Sequence, residues 1–494
     1  SKDPVQVYCR LRPMQYSTDI SCMKVTSDTT VVITPPESAT NFRNSSNKEI
    51  QTTFSHVFTP DATQKDVFNI VALPLVENVI RGRNSLLFTY GVTGSGKTYT
   101  MTGESQDAGI MPRCLDVIFN SIANYQTKKF IFKPDKLNGF DIQNEADAML
   151  DRQNELHAGL MSQRNGKSGK LRKVESDSDS NPIIHDIEET ETIQVDQDNV
   201  YAVFVTYVEI YNNSVYDLLE DEDIRTSKIV REDGNKNMYV HAVTEIEVKS
   251  SDEAFEIFQR GQRRRRVAHT ALNAESSRSH SVFTIRLVHC EGEQVVQDKR
   301  VVCITQLSLV DLAGSERTNR TKNTGQRLRE AGNINNSLMT LRSCLEILRE
   351  NQLQSTNKMV PYRDSKLTHL FKNYFDGEGQ VRMIVCVNPR TDDYDETIEV
   401  MKFAEMTQEV QGGPFPELEI NSPHFNILQL KDRNMALNQR LIDKQRVKQK
   451  YNTKMQVETD KMNKELEIKL RQQREQLQNQ MKEKDDKLRL VKQI

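Results

Sequence analysis

The sequence predicts an α/β domain built on a central mixed sheet with helices on both faces, followed by an extended helix. Three observations lead there. Strand-like and helix-like stretches alternate over residues 1–410. Several of the strand-like stretches are continuous runs of Val, Ile, Leu and Phe, as expected for strands buried on both faces. Residues 425–494, by contrast, hold no Gly, Pro or Cys and read as one helix.

Taken in order, strands are predicted at Val5–Cys9, Ser85–Tyr90, Val200–Ile210, Val282–His289, Val302–Val310 and Met383–Val387. Helices are predicted at Gln64–Ile80, Pro112–Tyr125, Ser251–Gln259, Leu328–Arg349 and Thr397–Gln408. Residues 130–199 interrupt the alternation with 15 acidic and 8 basic residues. Their centre, Asn165 to Asn181, is polar and low in complexity, which predicts disorder, and the flank Asp141–Met161 predicts a short amphipathic helix. Strand signals return on both sides, so this stretch reads as an insertion within one domain. The expected organisation is a domain over 1–410, a hinge over 411–424 with two glycines and three prolines, and a helix over 425–494.

Charge divides the chain in the same place. The whole carries 67 Lys and Arg against 70 Asp and Glu, a net of −3. The 425–494 helix alone carries 18 bases and 10 acids, a net of +8, which leaves −11 for the rest. A histone-like polycation is excluded, and no stretch approaches the ~18 uninterrupted apolar residues of a membrane span. The first thirty residues lack a signal peptide. Seven scattered cysteines without a CxxC pair suit buried thiols in a reducing compartment. The chain starts at Ser1 without Met and stops at Ile494 inside a charged helical run, as a fragment of a longer protein would.

Chemistry is concentrated in three motifs. Gly91-Val92-Thr93-Gly94-Ser95-Gly96-Lys97-Thr98 follows the Ser85–Tyr90 strand and precedes a helical stretch. That context lets the backbone N–H groups of the loop curl around a polyphosphate at a helix N-terminus, where a flexible Gly/Ser loop is the plain alternative. Lys97 would reach the β- and γ-phosphates, and the Thr98 hydroxyl would ligate Mg²⁺. The Val302–Val310 strand ends in Asp311-Leu312-Ala313-Gly314-Ser315-Glu316, where Asp311 would hold Mg²⁺ and Gly314 would offer its N–H to the γ-phosphate. Between them lies Ser276-Ser277-Arg278-Ser279-His280. This is either a γ-phosphate sensor or a phosphorylatable surface loop, and the residues alone leave both readings open.

In this order the motifs resemble a kinesin motor domain, over about residues 3–410 apart from the insertion. The likeness rests on Arg10-Leu-Arg12-Pro13, TYGVTGSGKTYTM, LNAESSRSHS, LVDLAGSE, EAGNINNSL from Glu330 and VPYRDSKLT from Val360. The long acidic insertion resembles the kinesin-6 subfamily. The resemblance implies a P-loop NTPase fold, ATP and Mg²⁺ as cofactors, and microtubules as partner. It places Arg10 and Pro13 beside the adenine and Tyr99 stacked on the purine, Tyr99 standing where many kinesins have His, and it counts Arg12 among the nucleotide-binding residues. It makes Ser276 and Ser277 hydroxyls of the first switch, Ser277 also a Mg²⁺ ligand. It pairs Arg278 with Glu316 in a bridge that closes one switch on the other.

Tubulin is acidic, so the track-binding face should be basic. The candidates are Arg317, Arg320, Lys322, Arg327 and Arg329 after the second motif, then Arg363, Lys366 and Lys372. The first group leads into the Leu328–Arg349 helix, whose Leu338, Leu341, Leu345 and Leu348 mark a core face. Arg342 departs from the Gly common in this kinesin helix. The Arg263–Arg266 run is expected to be a solvated helix end; without interleaved aromatics it does not suit nucleic acid.

In the tail, Leu437, Leu441, Tyr451, Met455 and Met462 space as a heptad seam, and Leu470, Leu477, Met481, Leu488 and Val491 resume it in a shifted frame. The seam implies a homodimer, against an extended basic helix lying on the motor or another partner. The expected function is an ATP-hydrolysing, plus-end-directed microtubule motor of the central spindle and midbody, nuclear in interphase. A Rho-family GTPase-activating protein would be its partner in a centralspindlin-like complex. The alternatives are a nucleotide-gated microtubule crosslinker and a P-loop enzyme with a small substrate; the tail and the lack of a second substrate constellation speak against the last.

Overall fold

The computed structural model describes residues 5–14, 16, 19–36, 49–104, 106–165, 191–220, 226–271, 278–291, 302–316, 326–377 and 379–410, with 464, 471–478 and 481–482 in the tail. The chain divides into two compact units, Ser1–Phe415 and Pro416–Ile494. In the second, the described residues are helical. The predicted heptad positions other than Leu477 and Met481 lie outside the described residues, as does the hinge over 411–424.

The first unit is organised by a 10-stranded mixed sheet. Its strands are β1 (Gln6–Leu11), β2 (His56–Phe58), β3 (Ser85–Tyr90), β4 (Asn199–Tyr211), β5 (Ser214–Asp217), β6 (Ser227–Lys228), β7 (Ile246–Val248), β8 (His280–Glu291), β9 (Cys303–Asp311) and β10 (Gln380–Val387). They lie in the order β6-β5-β4-β8-β9-β3-β10-β1-β2, with β7 paired to β4. The strands β9, β3, β10, β1 and β2 run parallel, and β4, β8 and β9 are antiparallel to their neighbours in turn. All six predicted strands are present, each within three residues of its predicted ends.

Alternation within these strands sorts side chains to two cores. Val7, Cys9, Leu86, Phe88, Met383 and Val385 face one core with helices α7 (Gln326–Gln354), α8 (Lys366–Asp376) and α9 (Tyr394–Gln408). Tyr8, Leu87, Ile384 and Cys386 face the other, with α1 (Gln64–Val67), α2 (Leu73–Ile80), α4 (Ile110–Ile122) and α6 (Ser251–Ala271). Each fully buried Leu, Ile or Phe here contributes about 1.5–3 kcal/mol relative to exposure. The predicted helix Gln64–Ile80 is α1 and α2 joined through a π-helical segment, Phe68–Ala72. Its start is set by Thr63, whose hydroxyl accepts from the Asp66 N–H while the Asp66 carboxylate accepts from the Thr63 N–H.

The insertion is built differently from its composition. A hairpin, Phe132–Pro134 with Phe140–Ile142, packs Phe132, Phe140 and Ile142 against Ala202, Phe204, Val288 and Cys290 of β4 and β8. Helix α5 (Glu145–Asn165) follows, where a helix was expected, but it is not held by an apolar face. Ala148 is buried while Met149 and Leu150 are exposed. Ion pairs fasten it to the preceding segment: Glu145 to Lys128 at 3.0 Å, Asp151 to Lys133 at 3.1 Å, and Glu155 to Lys129 at 2.8 Å, while Glu145 and Arg152 pair within the helix at 2.7 Å. The low-complexity centre over 166–190 lies outside the described residues. Six cysteines are buried as expected, and Cys303 is exposed because it begins β9 near a sheet end. No described helix is long and apolar enough to cross a membrane.

Candidate functional site

The carboxyl ends of β3 and β9 lie side by side, with Asp311 opposite Thr89. Antiparallel β8 brings its first residues to the same edge, Ser281 opposite Asp311. All three sequence motifs therefore meet beyond one edge of the sheet, where open α/β sheets bind ligands.

The glycine loop runs from β3 into helix α3 (Lys97–Thr102). Gly91, Gly94 and Gly96 have φ of 147°, 79° and 100°, values that favour glycine. A Cβ on Gly91 would sit 2.2 Å from the Cys386 carbonyl oxygen, so the loop can press against β10 only as glycine. The Lys97 ammonium is buried and donates to the carbonyls of Gly91 and Val92, each at 2.9 Å. Burial lowers its pKa from the ordinary lysine value, and the Asp311 charge opposes that. The Ser95 hydroxyl is buried without a hydrogen-bond partner among the described residues. A buried hydroxyl donor left over in a glycine loop is what an anion would satisfy.

Thr98 Oγ1 donates to Asp311 Oδ2 at 2.7 Å, joining the two predicted metal ligands across 213 residues. The loop after β9 then folds onto the glycine loop. The Ser315 N–H donates to the Gly91 carbonyl at 3.1 Å. The Glu316 carboxylate accepts from the Thr93 N–H at 2.9 Å and from its hydroxyl at 2.6 Å. Gly314 lies between these contacts, and a Cβ there would meet Glu316 Oε2 at 2.2 Å and Thr93 Oγ1 at 2.3 Å.

On the other flank, Arg10 is buried and stacks on the Tyr99 ring, 5.2 Å from its centroid. Its guanidinium donates to Gln64 and Thr100 at 2.7 and 2.9 Å, and the Gln64 amide donates to the Tyr99 carbonyl at 2.7 Å. The Tyr99 hydroxyl donates to Asp107 at 3.0 Å, and the residue keeps 38% of its surface exposed. The result is a braced aromatic plate. Arg12 donates to the Gly94 carbonyl, and Pro13 is exposed beside it. The bracing partners Gln64 and Asp107 carry no motif of their own.

Ser276 and Ser277 lie outside the described residues, and Arg278 is half-buried. Earlier in the chain, the expectation that Arg263–Arg266 form a solvated helix end is corrected. The run lies inside α6, not at its end, and one helical turn contains exposed and inward positions alike. Arg263 is exposed, but Arg265 is buried and reaches Glu209 Oε1 of β4 at 3.4 Å. It also donates to the Ser279 hydroxyl at 3.0 and 3.2 Å and to its carbonyl at 3.0 Å. Arg265 thus holds the last residue before β8, and four identical neighbours hid which one it is. Gly261, one turn earlier, lets α6 approach: a Cβ there would meet the Tyr207 ring at 2.4 Å.

His280 is the second residue that motif reading passed over. Its Nδ1 accepts from the Ala313 N–H at 3.0 Å, and its Nε2 meets the Ser337 hydroxyl of α7 at 2.8 Å. Burial pushes the imidazole pKa down to about 3, with Arg265 and Lys97 adding to the effect, so the ring is neutral.

Of the basic face, Arg317, Arg320 and Lys322 lie outside the described residues, and Arg327 and Arg329 fall in the first turns of α7. Arg363, Lys366 and Lys372 cluster at and before α8. The pKa of His369 is lowered by burial and by the charges of Arg363, Lys366 and Lys372, so the three cations share one field. Arg342 is accommodated on α7 by Glu346 at 3.0 Å and by Glu399 of α9 at 3.6 Å.

Comparison with known proteins agrees with this geometry. A model of the kinesin motor domain matches residues 10–410. Kinesin-like protein KIF23 of Mus musculus is 56% identical over 421 residues, covering 83% of this chain and 44% of that protein. Kinesin-like protein KIF20A of Homo sapiens is 34% identical over 466 residues, covering 86% of this chain and 52% of that protein. The chain thus spans about half the length of these curated relatives. A solved structure described as kinesin 6 superposes with a TM-score of 0.66 at 42% identity, covering 82% of this chain and 98% of that one. A second, of a fast kinesin, gives a TM-score of 0.61 at 26% identity, covering 85% and 96%.

Proposed function

The chain belongs to the kinesin motor family, and on that premise we propose that it is a microtubule-stimulated ATPase that turns ATP hydrolysis into plus-end-directed force. The observation that carries this reading is the docking of the 311–316 loop on the glycine loop, through Ser315 to Gly91 and Glu316 to Thr93, with α7 beginning shortly afterwards at Gln326. A loop placed between a phosphate cradle and a helix that leads with basic residues can report phosphate to a track.

The residues divide the work. N–H groups of the glycine loop and α3 bind and orient the phosphates, and the Arg10-braced Tyr99 ring stacks on the purine. Lys97 exchanges the Gly91 and Val92 carbonyls for phosphate oxygens, which are the stronger acceptors. The Thr98 and Asp311 oxygens fit Mg²⁺, with Ser277 as a further ligand; when bound, the ion neutralises charge on the phosphates. Ser276, Arg278 and Glu316 orient the attacking water, and Gly314 presents its N–H to the γ-phosphate.

We place the track-binding face on Arg317, Arg320, Lys322, Arg327, Arg329, Arg363, Lys366 and Lys372. We further propose a homodimer formed through 425–494 and a Rho-family GTPase-activating partner in a centralspindlin-like complex. The site of action would be the central spindle and midbody in cytokinesis, with nuclear residence in interphase. The similarity to the two kinesin-like relatives supports these readings. The test is ATP turnover by the purified chain with and without microtubules. Turnover that does not rise on adding microtubules sinks the motor. Stimulated turnover with bundling but no filament gliding would instead identify a nucleotide-gated crosslinker.

A further inference from the structure

We propose that His280 is a positioning residue that transmits movement of the 311–316 loop to helix α7. The inference rests on the nucleotide-binding reading above and adds the physical link between the phosphate loop and the helix.

The geometry is specific. A backbone N–H can only donate, so the 3.0 Å contact from Ala313 makes Nδ1 the acceptor. In the neutral ring the proton then sits on Nε2, which donates to Ser337 Oγ at 2.8 Å. One rigid ring therefore joins two elements through bonds on opposite sides. Ala313 directly precedes Gly314, whose N–H is assigned to the γ-phosphate in the reading above. Ser337 is buried on α7, the helix whose first turns hold Arg327 and Arg329.

The ring's own base is anchored. His280 pairs with Ile210 in the sheet, and Ser279 before it is held by Arg265, itself paired with buried Glu209. Water is excluded: the His280 side chain is 2% exposed. A shift of Ala313 therefore cannot be absorbed by solvent. Either the ring follows and pulls on Ser337, or a buried donor loses its partner, which is strongly disfavoured. A histidine that only filled the core would need neither bond, and a phenylalanine would fill the same space.

The experiment is hydrogen exchange of the whole chain with and without a non-hydrolysable ATP analogue and Mg²⁺, on the parent, His280→Gln and Ser337→Ala. Ser337→Ala introduces a strong helix former and guards against a His280 variant that folds poorly. In the parent, the analogue is expected to change protection at 91–98 and along α7. In both variants the change at 91–98 should persist, while the change along α7 falls at least threefold. If α7 responds in both variants as in the parent, or does not respond in the parent, the link is wrong. If 91–98 is not protected in the parent, the nucleotide reading falls, and the link falls with it.

Discussion

Arg265 and Glu209 form an ion pair inside the protein, with 5% and 0% of their side chains exposed, and the same guanidinium grips Ser279. A pair this deep is sustained by mutual satisfaction, because removing one member leaves a buried charge alone. Arg265→Ala should cost about 3–5 kcal/mol. Arg263→Ala, two residues away and exposed, should stay within about 0.5 kcal/mol. Urea-unfolding midpoints of the two variants check this; equal midpoints would mean that Arg265 is not load-carrying.

Glu316 holds Thr93 by two hydrogen bonds, and a Cβ on Gly314 would push against both side chains of that contact. Glu316→Ala and Gly314→Ala should each keep nucleotide affinity within a few-fold and lower turnover by about 10²-fold or more, because the first removes and the second displaces the contact that positions the 311–316 loop, an effect on the scale of misplacing one transition-state contact. Analogue binding and steady-state hydrolysis separate the two effects. Retained turnover in Glu316→Ala would discard its assignment.

Thr98 and Asp311 share a hydrogen bond where Mg²⁺ is placed. Thr98→Val should raise the Mg²⁺ concentration for half-maximal turnover by about tenfold, equivalent to roughly 1.4 kcal/mol, while Thr98→Ser should not. Chelation with EDTA should abolish hydrolysis by the parent. A Mg²⁺ titration of all three proteins reads the difference.

The folded-state pKa of His280, about 3, lies below the ordinary value of 6.5. The unfolded chain therefore takes up the proton first, so the contribution is intact above pH 6.5 and is lost as pH falls from there towards 3. The loss is at most about 1.4 kcal/mol per pH unit. His280→Gln should be less stable than the parent at pH 7 but show a smaller drop between pH 7 and pH 5. Denaturation midpoints at the two pH values measure it; identical drops would show that another group carries the acid sensitivity.

Arg363, Lys366 and Lys372 act together on His369. Each change to Ala should weaken microtubule binding several-fold, and the triple variant should also flatten its dependence on salt, since screening acts on the charges removed. Co-sedimentation across a salt series tests it. An unchanged salt slope in the triple variant would move the track-binding face elsewhere.

The sequence by itself determined much of this protein. Strand β3 was legible to the residue, and the other five predicted strands nearly so, because strands buried on both faces, parallel or antiparallel, are written as apolar-rich runs. Glycine spacing marked the phosphate loop because only glycine takes those dihedrals cheaply. What the tertiary structure decided was partnership. Which arginine of four turns inward depends on the phase of α6 against β4, and that phase is set by Gly261 meeting Tyr207. The hairpin at Phe132 and Phe140 looked like part of a polar insertion until β4 and β8 offered it an apolar face. Ala313, His280 and Ser337 are neighbours only because strand order places β8 beside β9 and beneath α7. Periodicity records local preference and the face that seeks burial. It holds no record of the distant group found there, and Arg265–Ser279 and His280–Ser337 are pairs of that kind.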